Sequence, residues 1–110
     1  MNGTTPYAQL FCESVLSARD LGASDIHFQP TRAGLDIRFR VNGDLMTWKR
    51  IDAAHRRAFI NEAKALVNLS IDLRGRDQAA RASFHVWRLD VRASLLPSEH
   101  DEKIVLRLLP

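Results

Sequence analysis

A chain of 110 residues supports one domain with a modest core, and 45% hydrophobic and 26% charged residues are ordinary globular values, against both disorder and a membrane class. No apolar run approaches the roughly 20 residues of a spanning helix; residues 1–6 lack the basic and apolar regions of a signal peptide; and the single cysteine, Cys12, excludes an internal disulfide and a cysteine-built zinc site. A formal charge of +3 invites a nucleic-acid reading, but the 16 basic residues are scattered among 13 acidic ones without interleaved aromatics, so a solvated, mildly basic surface is the plainer one.

Thr5 and Pro6 suit a helix start, one as cap and one at the first helical position. Tyr7, Leu10, Phe11, Val15 and Ala18 follow at helical spacing to about Leu21, and Gly22 is placed to end the helix. A strand follows with Ile26 and Phe28 on one side and Asp25, His27 and Gln29 on the other, ended by Pro30. After a turn over 31–34, Leu35, Ile37, Phe39 and Val41 alternate with Asp36, Arg38 and Arg40, so this strand buries one face and presents charge on the other. Asn42-Gly43 tolerates the positive φ of a tight hairpin turn and leads into a third strand, Leu45 to Lys49.

Asp52 can cap a second helix with Phe59, Ile60, Ala63, Leu66 and Val67 as its buried stripe. Residues 69–80 are polar and irregular, with 74–77 read as a surface loop. Alternation returns with Ala82, Phe84 and Val86 on one face of a strand, then with Leu89, Val91, Ala93 and Leu95. Residues 96–101 are a connection, and Ile104, Leu106 and Leu108 close the core. The order of helix, three strands, helix, three strands predicts an α+β fold. Its sheet has about six strands and is largely antiparallel, because hairpin-length connections cannot make parallel crossovers. Two helices cover one face only. The other carries His27, Arg38, Arg40, Arg88, Arg92, Lys103 and Arg107 with Asp25, Asp36 and Asp90, a polar face for solvent or a partner.

Nothing matches the GxxxxGK(S/T) phosphate loop, and His27, His55, His85 and His100 have no metal-binding spacing, so neither a metal site nor a catalytic residue is expected in this chain alone. Cys12 lies beside an apolar helix stripe, where a thiol is usually a small packing residue. Arg38 and Arg40 project the same way from one strand, and their forked donors match phosphate oxygens. The same pair could instead bond carboxylates across the sheet, such as Asp25 or Asp90.

Three segments together resemble one family. GASDIHFQP (residues 22–30) resembles the GASDIHxEP signature of the type II secretion and type IV pilus assembly ATPases. IRFRVNGDL (37–45) resembles their RxRxDGxL strand and turn, and the segment 90–109 resembles their DVRVSxxPxxxGEKxVLRLL stretch. The resemblance runs in order over nearly the whole chain from about residue 7. It implies a single PAS-like N-terminal domain over 1–110, of the kind that precedes a RecA-like motor domain which this chain does not include. It further implies a hexameric ATPase, cytoplasmic and peripheral to the inner membrane, that works with membrane platform proteins in pilus or pseudopilus assembly, secretion or DNA transfer. ATP and magnesium belong to the full-length enzyme; no cofactor is expected for the isolated domain, and no direct nucleic-acid contact. The resemblance assigns ATP-phosphate contacts to Arg38 and Arg40. A further family arginine near the start of the next helix falls on Ala53, so Arg56 or Arg57 could substitute only after a register shift. Departures from the family pattern are Gln29 for Glu, Asn42 for Asp, Asp101 for Gly, and a PQDGR loop that keeps only Gln78 and Arg81. They motivate an alternative expectation, a stand-alone adaptor or regulatory module that has lost the motor.

Overall fold

The computed structural model describes residues 5–109, in which two helices lie on one face of a six-stranded sheet. Helix α1 (Pro6–Asp20) starts where the Thr5 hydroxyl accepts the Ala8 N–H at 3.0 Å. It ends at Gly22, whose φ of 73° lets the Ala23 N–H turn back to the Ala18 carbonyl at 2.9 Å. The strands are β1 (Asp25–Pro30), β2 (Gly34–Val41), β3 (Asp44–Asp52), β4 (Gln78–Phe84), β5 (Leu89–Pro97) and β6 (Glu102–Leu109), with α2 (Ala53–Leu66) between β3 and β4. The spatial order is β3-β2-β1-β6-β5-β4, with every neighbouring pair antiparallel. Two three-stranded meanders thus meet along β1 and β6, and α2 carries the chain from one outer edge to the other. The expected α+β architecture is present.

The alternation read from the sequence sets the layers. Ile26, Phe28, Leu35, Ile37, Phe39, Val91, Ala93, Leu95, Ile104 and Leu106 are buried from the sheet, and Phe11, Val15, Ala18, Phe59, Ile60, Ala63 and Val67 meet them from the helices. Phe28 packs between Phe11 and Phe59, with ring centroids 5.6 Å from each. The β2–β3 register slips by one residue after Ile37, skipping Trp48, whose ring stacks on Phe39 at 5.3 Å.

Four local expectations need correction. Val86 does not continue β4: His85–Trp87 form a single 3-10 turn and Val86 is 93% exposed, because Phe84 and Trp87 pack on each other instead, 5.0 Å apart. Arg88 consequently leaves the sheet face and closes that turn in the left-handed region, at φ 51°. β3 runs on to Asp52, which occupies the capping position of α2 without a capping bond from its side chain. Residues 69–80 are less irregular than their polarity suggests. Leu69 is buried, β4 begins at Gln78, and the Gln78 amide bonds both the N–H and the carbonyl of Ser70 at 2.7 and 3.0 Å.

Candidate functional site

The open face of the sheet collects the charged residues of the alternating strands. Register places His27 of β1 opposite Arg38 of β2, and Asp25 opposite Arg40. Asp25 is only 8% exposed because two guanidiniums and an imidazole close over it: Arg40 Nε at 3.4 Å, Arg107 Nε at 3.6 Å and His27 Nε2 at 3.8 Å. Arg40 also donates to the Gly43 carbonyl at 2.8 Å, which ties it to the β2–β3 turn. Of the two acceptors the sequence offered Arg40, Asp25 is the one engaged; Asp90 forms no ion pair among the described residues.

Arg38 differs from its neighbour. It is half-buried, its Nε atom is shielded from solvent, and among the described residues it has no hydrogen bond or ion pair. Beside it, the His27 Nε2 atom is likewise shielded without a hydrogen bond. Burial lowers the His27 pKa from its ordinary value, and the charges of Lys103 and Arg40 add to that effect against the opposing pull of Asp25. A neutral imidazole and an unengaged guanidinium therefore sit side by side in the middle of this face.

Arg56 and Arg57 lie on the other side of the sheet. They project from the first half of α2 toward the β1–β2 and β5–β6 turns. Arg56 donates to the carbonyls of Thr31 and Gly34 at 2.6 and 3.2 Å and lies 3.5 Å from Asp101. Arg57 bonds Asp101, Asn61 at 3.0 Å and Glu102 at 2.8 Å. Behind them the fully buried Lys64 donates to Glu102 at 3.0 Å and to the Leu73 carbonyl at 3.1 Å. Burial alone would raise the Glu102 pKa, but the hydrogen bonds and charges of Arg57 and Lys64 outweigh it and hold the carboxyl below its ordinary value. Asp101 also accepts the Glu102 N–H at 2.8 Å, so the residue standing where the family has glycine pins this turn through its own side chain. These five charged partners fasten α2 to the sheet, and sequence reading did not anticipate Lys64 or Glu102 among them. The available signals were Lys64 at helical spacing from Ile60 and Val67, and Glu102 on the alternation of Ile104 and Leu106. Cys12 packs at the rim of the core, and burial raises its thiol pKa.

The family model described as type II/IV secretion system protein matches residues 1–110. The chain belongs to this family. The type II secretion system protein E of Xanthomonas campestris is 35% identical over 106 residues, covering 94% of the chain and 19% of that protein. The type IV pilus assembly ATPase PilB of Thermus thermophilus is 32% identical over 105 residues, covering 93% of the chain and 12% of its own length. The chain thus spans less than a fifth of these curated relatives' length. Among solved structures, the Legionella pneumophila ATPase DotB superposes with a TM-score of 0.70 at 22% identity, over the whole chain and 30% of DotB. The pilus retraction motor PilT with bound ADP gives 0.65 at 21%, over 89% of the chain and 28% of PilT. At these identities the two structures speak for the fold alone.

Proposed function

We propose that this chain is the nucleotide-sensing N-terminal domain of a hexameric secretion or type IV pilus-type ATPase. In that reading it closes over ATP and magnesium held by a RecA-like motor domain, and the full-length protein works at the cytoplasmic side of the inner membrane with platform proteins. Arg38 reaches the ATP phosphates, with Arg40 beside it as the second arginine of the strand. Family membership supports the setting, and the state of Arg38 carries the assignment: it is the one of the four candidate arginines with no partner among the described residues.

The chemistry is electrostatic. A half-buried guanidinium held on a rigid strand, without a protein partner among the described residues, offsets developing charge on a phosphoryl group without first breaking an ion pair of its own. Arg40 must share itself with Asp25 and Gly43, so its part is to hold Asp25 and the turn while Arg38 makes the contact. Arg56 and Arg57 are committed to the opposite side, where their contacts support α2 and the turns. The test is ATP turnover by the full-length protein. Arg38→Ala should lower it by about 10³-fold or more, the scale of an arginine supplied to a transferring phosphoryl group, with no fall in melting temperature. Turnover equal to wild type would remove Arg38 from the site.

A further inference from the structure

The other half of the open face has an arrangement that the proposed role of Arg38 does not use. Arg81 pairs directly with Arg92 across β4 and β5, and Arg92 pairs directly with Arg107 across β5 and β6. All three are exposed. The row continues through Asp25 to Arg40, so its only acid is the carboxylate already shared by Arg40, Arg107 and His27. Among the described residues the side chains of Arg81 and Arg92 have no ion pair or hydrogen bond, the one contact at Arg81 outside the sheet ladder being its backbone carbonyl, which accepts from Asn68. Like charges set directly opposite across strands destabilise a sheet, so a row of three arginines in which only Arg107 meets an acid costs the fold stability.

The neighbouring row is small: Ala79 pairs with Ser94, and Ser94 with Val105. Large cations beside small side chains leave a hollow. One of about 260 Å³ is lined by Arg92, Ser94, Val105 and Arg107, and a second of about 400 Å³, sharing Arg92 and Ser94 with it, is flanked by Arg81. Strands lie about 4.8 Å apart, so the three arginines span about 10 Å. We infer that this row is a binding site for a multiply charged phosphate-bearing anion, with Arg92 central, Arg81 and Arg107 flanking, and the Ser94 hydroxyl as an added donor.

The charge density is what favours phosphate. A single carboxylate brings one charge to three cations, whereas linked phosphates bring several within the same span and accept forked guanidinium bonds. The hollow has no aromatic lining on which a base could stack, which disfavours a nucleic-acid strand. The anion could arrive as a free polyphosphate compound or as a phospholipid headgroup.

Thermal unfolding of the 110-residue chain, titrated with pyrophosphate at constant ionic strength, tests the site. A saturable rise of roughly 5 °C at ten times the half-saturating concentration is expected. It should be lost in Arg92→Gln and in Arg107→Gln and kept in Arg38→Ala, so this site and the proposed role of Arg38 stand or fall separately. Sedimentation with phosphatidylglycerol vesicles divides the sources: wild-type binding lost in Arg92→Gln assigns a headgroup, and a pyrophosphate response without vesicle binding assigns a free anion. No response beyond matched sodium chloride, with no vesicle binding, would overturn the site. So would a response that survives both Gln variants. Tighter binding of a polyglutamate peptide or a single-stranded oligonucleotide at the same arginines would assign the row to a different partner and overturn the phosphate reading.

Discussion

Lys64→Met isolates the buried charge network that fastens α2 to β6. The Lys64 side chain is fully buried and Glu102 nearly so, with Nζ and Oε1 3.0 Å apart. Removing one partner of such a pair leaves the other charge uncompensated, which typically costs about 3–5 kcal/mol. Arg57 still holds the same Glu102 oxygen at 2.8 Å, so the expectation is the lower end, about 3 kcal/mol. Against a total of about 5–15 kcal/mol for a domain of this size, that is a fifth or more of its stability, or a fall of roughly 12 °C in melting temperature. Lys64→Met combined with Glu102→Leu removes the stranded charge and should recover most of the loss, since apolar replacement of a whole buried pair is often neutral or better. Urea unfolding of the four species gives the coupling directly. A loss under about 1 kcal/mol for Lys64→Met, or a double variant no more stable than the single, would refute the reasoning.

The same network predicts acid behaviour. The folded-state pKa of Glu102 is depressed, so its contribution is fully present above the unfolded value of about 4.3 and lost as pH falls through the folded one. Stability measured against pH should therefore drop below about 4.3, and Glu102→Gln should flatten that part of the curve. The His27 pKa is also depressed, and the sign is the same: below about 6.5 the unfolded chain takes up a proton that the folded one refuses, so stability falls as pH drops from there. His27→Gln should remove that slope. At Gly34 an added Cβ would lie 1.8 Å from the Ile51 carbonyl oxygen and 2.9 Å from the Ala53 nitrogen, both backbone atoms that cannot yield separately. Gly34→Ala should cost about 3 kcal/mol or more, read as lost cooperative unfolding or a large fall in melting temperature. Phe28→Ala, emptying the space between two other rings, should cost about 3–5 kcal/mol by chemical denaturation.

The strands that could be read in advance were those whose two faces meet different surroundings. In β1, β2, β5 and β6, apolar and charged residues alternate because helices cover one side and solvent the other, and that contrast is written residue by residue. It also fixed the face of Arg38, Arg40, Arg92 and Arg107 before any coordinates. Where that contrast fades, the reading failed. The turn at 85–87 keeps an alternating pattern, yet Phe84 and Trp87 pack on each other and Val86 is left in solvent. Ser70 and Gln78, polar and apart in sequence, are joined only by hydrogen bonds across the loop.

By itself, then, the sequence determined the element order, the antiparallel sheet, the helix-covered face and the family, because each rests on local periodicity or on motifs carried along the chain. The tertiary structure alone decided which charges are used up and which remain free. Arg38, Arg40, Arg56 and Arg57 are equal as residue types, and the partners that tie three of them come from strands and turns distant in sequence. The row Arg81–Arg92–Arg107 exists only through the pairing of β4, β5 and β6. An ion pair is a matter of a few ångströms between groups that the chain brings together only when it folds.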